Sequence, residues 1–117
     1  MRPPGWPVQV EDPDHPDFEE SAVRWLWDLQ PAPRTATSVW SRHPRALAFR
    51  AAHDIEGRLH GARTAYAQAR TSLDGTQVDP SIVLAELEAE AADLQRQRRE
   101  VDLIEQALAG RRWVSHL

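Results

Sequence analysis

One predicted helix holds the chain's best set of metal-ligand types. His53, Glu56 and His60 combine two imidazoles with a carboxylate, the donors that hold zinc. Their spacing is i, i+3 and i+7. Ligand pairs on one helix use i and i+4, and the two histidine Cα atoms would lie ~10.5 Å apart along the axis. An amphipathic flank, with Phe49 and Ala67 on the same side, explains these residues better. We therefore assign no metal and no cofactor.

A second group sits in "DGTQVDP", where Asp74 and Asp79 come close together. Some transcription factors insert a helical hairpin with acidic tip residues into the secondary channel of RNA polymerase, near the catalytic magnesium. If this segment is a hairpin tip, those two aspartates are the acids it would present. Turn chemistry at Asp74-Gly75 and helix capping at Asp79 account for both without that role. A transcription-machinery regulator acting through this tip is the alternative reading of function.

The remaining chemistry is excluded by composition. The chain has no cysteine, so thiolate metal sites, disulfides and a Cys nucleophile are absent. It has no lysine, since arginine supplies all 14 cations. A P-loop lysine and a Schiff base are thus unavailable. No Gly-rich phosphate loop and no Ser-His-Asp arrangement with motif context occurs. Tyr66, the single tyrosine, falls on a helical seam and reads as core. The expectation is a protein that is not an enzyme.

Tryptophan offers a different chemistry, that of contact. Trp25 and Trp27 stand two residues apart in "AVRWLWDLQPAP". On a helix, residues i and i+2 point about 200° apart. Phe18, Ala22, Trp25 and Leu29 form one stripe, with Leu26 beside it. Val23 and Trp27 form another on the far side. A short helix that is apolar nearly all round needs cover on both faces. One stripe docks on the body of the protein. The other takes the proline arm with Trp6, a second copy of the chain, or a different protein. Trp anchors are enriched at interfaces. Trp6, Val23, Trp25, Trp27 and Trp40 are therefore the candidate partner-binding residues.

The elements that position these groups follow from local signals. Residues 1–17 hold most of the nine prolines and read as an extended arm. Asp17 as N-cap with Glu20 three residues on opens a helix over 18–30. Pro31 and Pro33 end it, and residues 31–43 form a Ser/Thr-rich connection carrying Trp40. Pro44 opens a second helix over 44–73. Ala48, Ala52, Ile55, Leu59, Ala62, Tyr66, Ala69 and Leu73 repeat there at 4-3 spacing, a heptad seam. Asp79 and Pro80 open a third helix over 81–109, closed by Gly110. Leu87, Leu94, Val101 and Leu108 recur in it every seven residues. Val83, Leu84, Ala91 and Ile104 thicken that stripe.

The expected fold is all-α. A long antiparallel coiled-coil hairpin, with arms of ~43 Å, is braced by a short N-terminal helix in a three-helix arrangement. Residues 18–117 make a single helical domain behind the arm. Gly57 and Gly61 lie on the face opposite the seam, where a second helix could approach closely or where glycine is merely tolerated. Arg96, Arg98 and Arg99 are interleaved with acids and read as a solvated face. Arg111 and Arg112 favour the negative end of the third helix, or contact a carboxylate or nucleic acid. Trp113 and Val114 should tuck back onto the bundle.

Charge bounds the partners. Residues 1–30 carry two Arg against seven acids, and residues 31–73 carry seven Arg against two. Residues 81–109 return to three Arg against seven acids. The net charge of −4 argues against nucleic acid as a direct ligand. The N-terminal residues lack a signal-peptide core, and no apolar run approaches the ~18–20 residues of a membrane helix. A cytoplasmic setting is expected.

With "PPGWPVQV", "SAVRWLWDLQP", "SRHP" and "ALAGRRW" on view, the chain resembles a family of small uncharacterised helical proteins of GC-rich actinobacteria. The likeness runs from about Pro3 to Trp113. It implies a bacterial cytosolic setting, brings no known activity, and transfers no functional residues. The function expected from the residues is protein–protein interaction, as an adaptor or regulatory subunit, with a protein partner or a homo-oligomer as the assembly.

Overall fold

The structure, a computed structural model, describes residues 1–30 and 39–114, with Ser41 described by its backbone alone. Its elements are α1 (Phe18–Asp28), α2 (Val39–Arg42), α3 (Pro44–Ser72) and α4 (Pro80–Leu108). No strand occurs among the described residues, and the fold is all-α. None of their helices is long and apolar enough to cross a membrane. The predicted connection over 31–43 is described only from Val39 on, where one turn of helix brings in Trp40. Pro31 and Pro33 lie outside the described residues.

Pro44 and Pro80 each occupy the first position of a long helix. Proline lacks the N–H that would be orphaned there and already holds a helical φ. At the other end of α4, Gly110 takes φ +87°. Its N–H donates to the Ala107 carbonyl at 3.0 Å, and the Arg111 N–H donates to Gln106 at 3.0 Å. These paired bonds form a Schellman cap, and the left-handed backbone it needs favours glycine.

The chain divides into two compact units, residues 1–54 with 99–117, and residues 55–98. In the first, the segment predicted as an extended arm is folded into successive turns. The N–H groups of Trp6, Val10, His15 and Phe18 donate to the carbonyls of Pro3, Pro7, Asp12 and His15. Pro4, Pro13 and Pro16 hold the second position of three of these turns, where a fixed φ is an asset. Gly5 follows Pro4 with φ +82°, as a type II turn requires. Pro3, Trp6, Pro7, Val10 and Pro13 are buried, so the turns carry side chains into the core of this unit. Phe18, Ala22, Trp25 and Leu26 of α1 are buried there too, as are Leu47, Ala48, Ala51, Val101, Ile104 and Ala107.

Arg112 fastens both ends of this unit. Its guanidinium donates to the Ala107 carbonyl at 3.1 Å, to Asp14 Oδ1 at 3.0 Å and to the Pro13 carbonyl at 3.3 Å. The expected roles at a carboxylate and at a helix C-terminus are thus combined in one side chain. Asp12 serves a similar purpose. The N-terminal ammonium lies 2.8 Å away and the Asp14 N–H also donates to it, which holds its carboxyl below the usual range.

The second unit contains only the facing parts of α3 and α4 with their connection. Its helices run antiparallel: Glu56 pairs with Arg98, while Ala62 and Tyr66 share a groove with Leu87 and Ala91. Ile55, Leu59, Ala62, Ala69 and Leu94 are buried, whereas Val83, Leu84 and Leu87 are only half-buried. Tyr66, expected in the core, is 42% exposed. A pair of helices encloses one narrow seam, and a ring at its edge turns outward. Gly75 at φ +80° sits in the connection, where Thr76 N–H donates to the Leu73 carbonyl.

Candidate protein-interaction site

The candidate site is built on α1. The turn His15–Phe18 delivers the chain into the helix. Asp17 occupies the cap position, yet its side chain makes no capping bond. Its φ of −93° and ψ of 10° suit the third residue of a turn. A side-chain cap needs an extended backbone at that residue. Asp17 instead donates its N–H to His15 Nδ1 at 2.9 Å. The predicted capping box is therefore replaced by a proline turn. Glu19 and Glu20 in the first turn complement the positive end of the helix.

One stripe of α1 is closed. Phe18, Ala22, Trp25 and Leu26 are each less than a tenth exposed. The Trp6 ring lies 5.9 Å from Phe18, and its indole N–H donates to the Val10 carbonyl at 3.0 Å. A buried indole needs such an acceptor. Trp6 and Trp25 are thus core residues here, not free anchors. Trp6 covers the inner stripe of the helix through Phe18.

The other stripe is open. Val23 and Trp27 are half-buried. Val23 lines an open groove of about 420 Å³ with Pro16, Glu19, Glu20, Arg42 and Pro44. Trp40 on α2 is also half-buried, and the Arg50 guanidinium sits 5.6 Å from its ring centroid. Arg50 is held in turn by Asp54 at 3.1 Å. This cation–π contact fixes the Trp40 ring at a cost of little burial. Val23, Trp27 and Trp40 are the predicted residues that keep accessible surface.

Two apolar side chains outside the predicted set join this exposed inventory. Phe49 is 55% exposed, meets the His53 ring at a tilt of 58° with centroids 4.5 Å apart, and lines a groove with Arg45, Glu105 and Arg111. Trp113 is 39% exposed and borders a small cleft with Trp6, Pro13 and Arg112. Phe49 was signalled in the sequence as a bulky residue off the heptad seam, whereas Trp113, expected to tuck back onto the bundle, lies beyond the end of α4 and stays partly exposed.

Of the other sequence candidates, Asp79, Glu56 and Arg96 are engaged in structural work. Asp79 caps α4, accepting from the Ser81 N–H at 2.9 Å and the Ser81 hydroxyl at 2.8 Å. Those bonds hold its carboxyl below the usual range. Asp74 is exposed in the connection, its N–H donating to Thr71. Glu56 accepts from Arg98 Nε at 3.0 Å, and His60 is exposed. Among the described residues no three His, Cys, Asp or Glu come together to hold a metal. Arg96 pairs with Asp93 on the same helix. At Gly57 and Gly61 an added Cβ would meet nothing within 4 Å, so no helix among the described residues approaches there.

No protein-family model, curated protein or solved structure matches this chain.

Proposed function

We propose that this protein is a protein–protein interaction module, an adaptor or regulatory subunit that works in the bacterial cytosol. The observation that carries this reading is the split of α1. Its inner stripe is covered within the first unit at Phe18, Ala22, Trp25 and Leu26, leaving Leu29 half-buried at its end, while Val23, which lines the groove at Arg42, and Trp27 on the far stripe retain exposed apolar surface. Tryptophan is one of the side chains most enriched among interface hot spots. Acids at Glu19 and Glu20 with Arg42 give the groove a polar rim, the usual anatomy of such a surface.

The rest of the chain serves as support in this reading. The seven-residue recurrence of Leu87, Leu94, Val101 and Leu108 favours a coiled-coil hairpin for the two long helices. The proline turns and α1 brace it.

The test is a pull-down with tagged protein from its own host, run in parallel with Trp27→Ala and followed by mass spectrometry. A specific protein captured by the wild type should be lost with Trp27→Ala while the circular dichroism of the helices is unchanged. Equal capture by both proteins would overturn the reading.

A further inference from the structure

The second unit presents an apolar groove of about 340 Å³, walled by Ala62, Tyr66, Leu87 and Ala91 and flanked by Arg63 and Glu88. Its two walls differ in charge. On the α3 wall the charged side chain is Arg63. On the α4 wall the charged side chain is Glu88. A surface with a cation on one wall, an apolar floor and an anion on the other is complementary to itself.

We propose that this groove docks a second copy of the chain about a two-fold axis parallel to the helices, with Arg63 of each copy meeting the partner's Glu88. That axis sets α3 of one copy beside α4 of the other. The neighbours are antiparallel, and basic walls meet acidic ones. A two-fold axis across the helices would set α3 against α3 and bring like charges together, so charge selects the first arrangement. The four helices then enclose Tyr66, Leu87 and Ala91, giving the half-covered stripe of α4 a second layer. The inference rests on the reading of the chain as an interaction module. It places self-association on the helical pair and away from Val23 and Trp27, so the two ideas fail separately.

The experiment is sedimentation equilibrium of the full chain and of three variants, Arg63→Glu, Glu88→Arg and Trp27→Ala. The wild type should be a dimer that weakens as salt rises. Each charge reversal creates two like-charge contacts and should raise the dissociation constant by about tenfold or more. Mixing Arg63→Glu with Glu88→Arg should restore the dimer, because both contacts then pair opposite charges. A defect internal to one chain would not be rescued by mixing. Trp27→Ala should leave the dimer intact. A wild type that stays monomeric to ~100 μM, a dimer indifferent to both reversals, or a mixture that does not reassemble would each overturn the proposal. So would a dimer dissolved by Trp27→Ala alone, which would move self-association to the tryptophan face and leave the interaction reading standing.

Discussion

Residues 1–54 with 99–117 and residues 55–98 are built from parts of the same two long helices, yet they bury their side chains very differently. In the first unit, turns and α1 join the helical pair. Trp6, Val10, Leu26, Leu47, Val101 and Ile104 are all nearly or wholly removed from solvent. In the second, the unit itself consists of the helical pair and its connection. Leu94 is buried, but Leu87 is half-buried and Tyr66 and Ile82 stay exposed. Heptad spacing in the sequence is similar in both. What differs is the number of layers available to cover each stripe. A helix pair can close one seam, and a third layer is needed to close the flanks.

This contrast predicts where the chain resists perturbation. Leu26 is fully buried in α1, and Leu26→Ala should destabilise the protein by about 3 kcal/mol or more in chemical denaturation. Leu94→Ala removes the same atoms from the thinner unit. It should cost about 2 kcal/mol, the low end for such a change, because two exposed helices can collapse around the gap. Equal losses would break the comparison. Hydrogen exchange should agree, with amides of 55–98 opening before those of α1 and of α4 beyond residue 99.

Next in size come the glycines. Gly57→Ala and Gly61→Ala should each stabilise the protein by about 1 kcal/mol, since an added Cβ meets nothing within 4 Å. A loss instead would mean that something approaches this face of α3 in solution. Asp79→Ala removes the α4 cap and should lower the melting temperature modestly. The sign with pH follows from its depressed pKa. Its stabilisation is present above the ordinary carboxylate range and fades as pH falls through the folded value. Wild type and variant should therefore converge in acid. A difference that persisted at low pH would show that the cap does not act through the carboxylate. Smallest is the Glu56–Arg98 pair, exposed and screened. Glu56→Gln should cost a few tenths of a kcal/mol at low salt and nothing measurable at high salt.

Much of the framework was legible in single residues. Pro44, Pro80 and Gly110 mark helix ends in the sequence, and the helices observed at 44–72 and 80–108 begin and end within a residue of those expected. The N-terminal segment was legible too, though composition alone misled. Counting prolines suggested an extended arm, whereas "PPGW", "DPDH" and "HPDF" each place proline where a turn needs it. Turn type depends on position within four residues, and composition averages that away. The same turns displaced the Asp17 cap, because a residue completing one turn cannot also extend to cap the next helix.

The candidate site was legible only as a set. Trp6, Val23, Trp25, Trp27 and Trp40 are alike in apolar area, and periodicity could divide Trp25 from Trp27 without saying which faced inward. The sequence by itself determined the three longer helices, their ends to within two residues, the opposition of the two α1 stripes and the charge of each segment, because those depend on residue type and short spacing; the single turn of α2 was read as connection. Tertiary structure alone decided that Trp6 and Trp25 are core, that Trp27 and Val23 keep open surface, and that Tyr66 leaves the seam. Burial depends on what the rest of the chain brings over a side chain, and local spacing does not specify that cover.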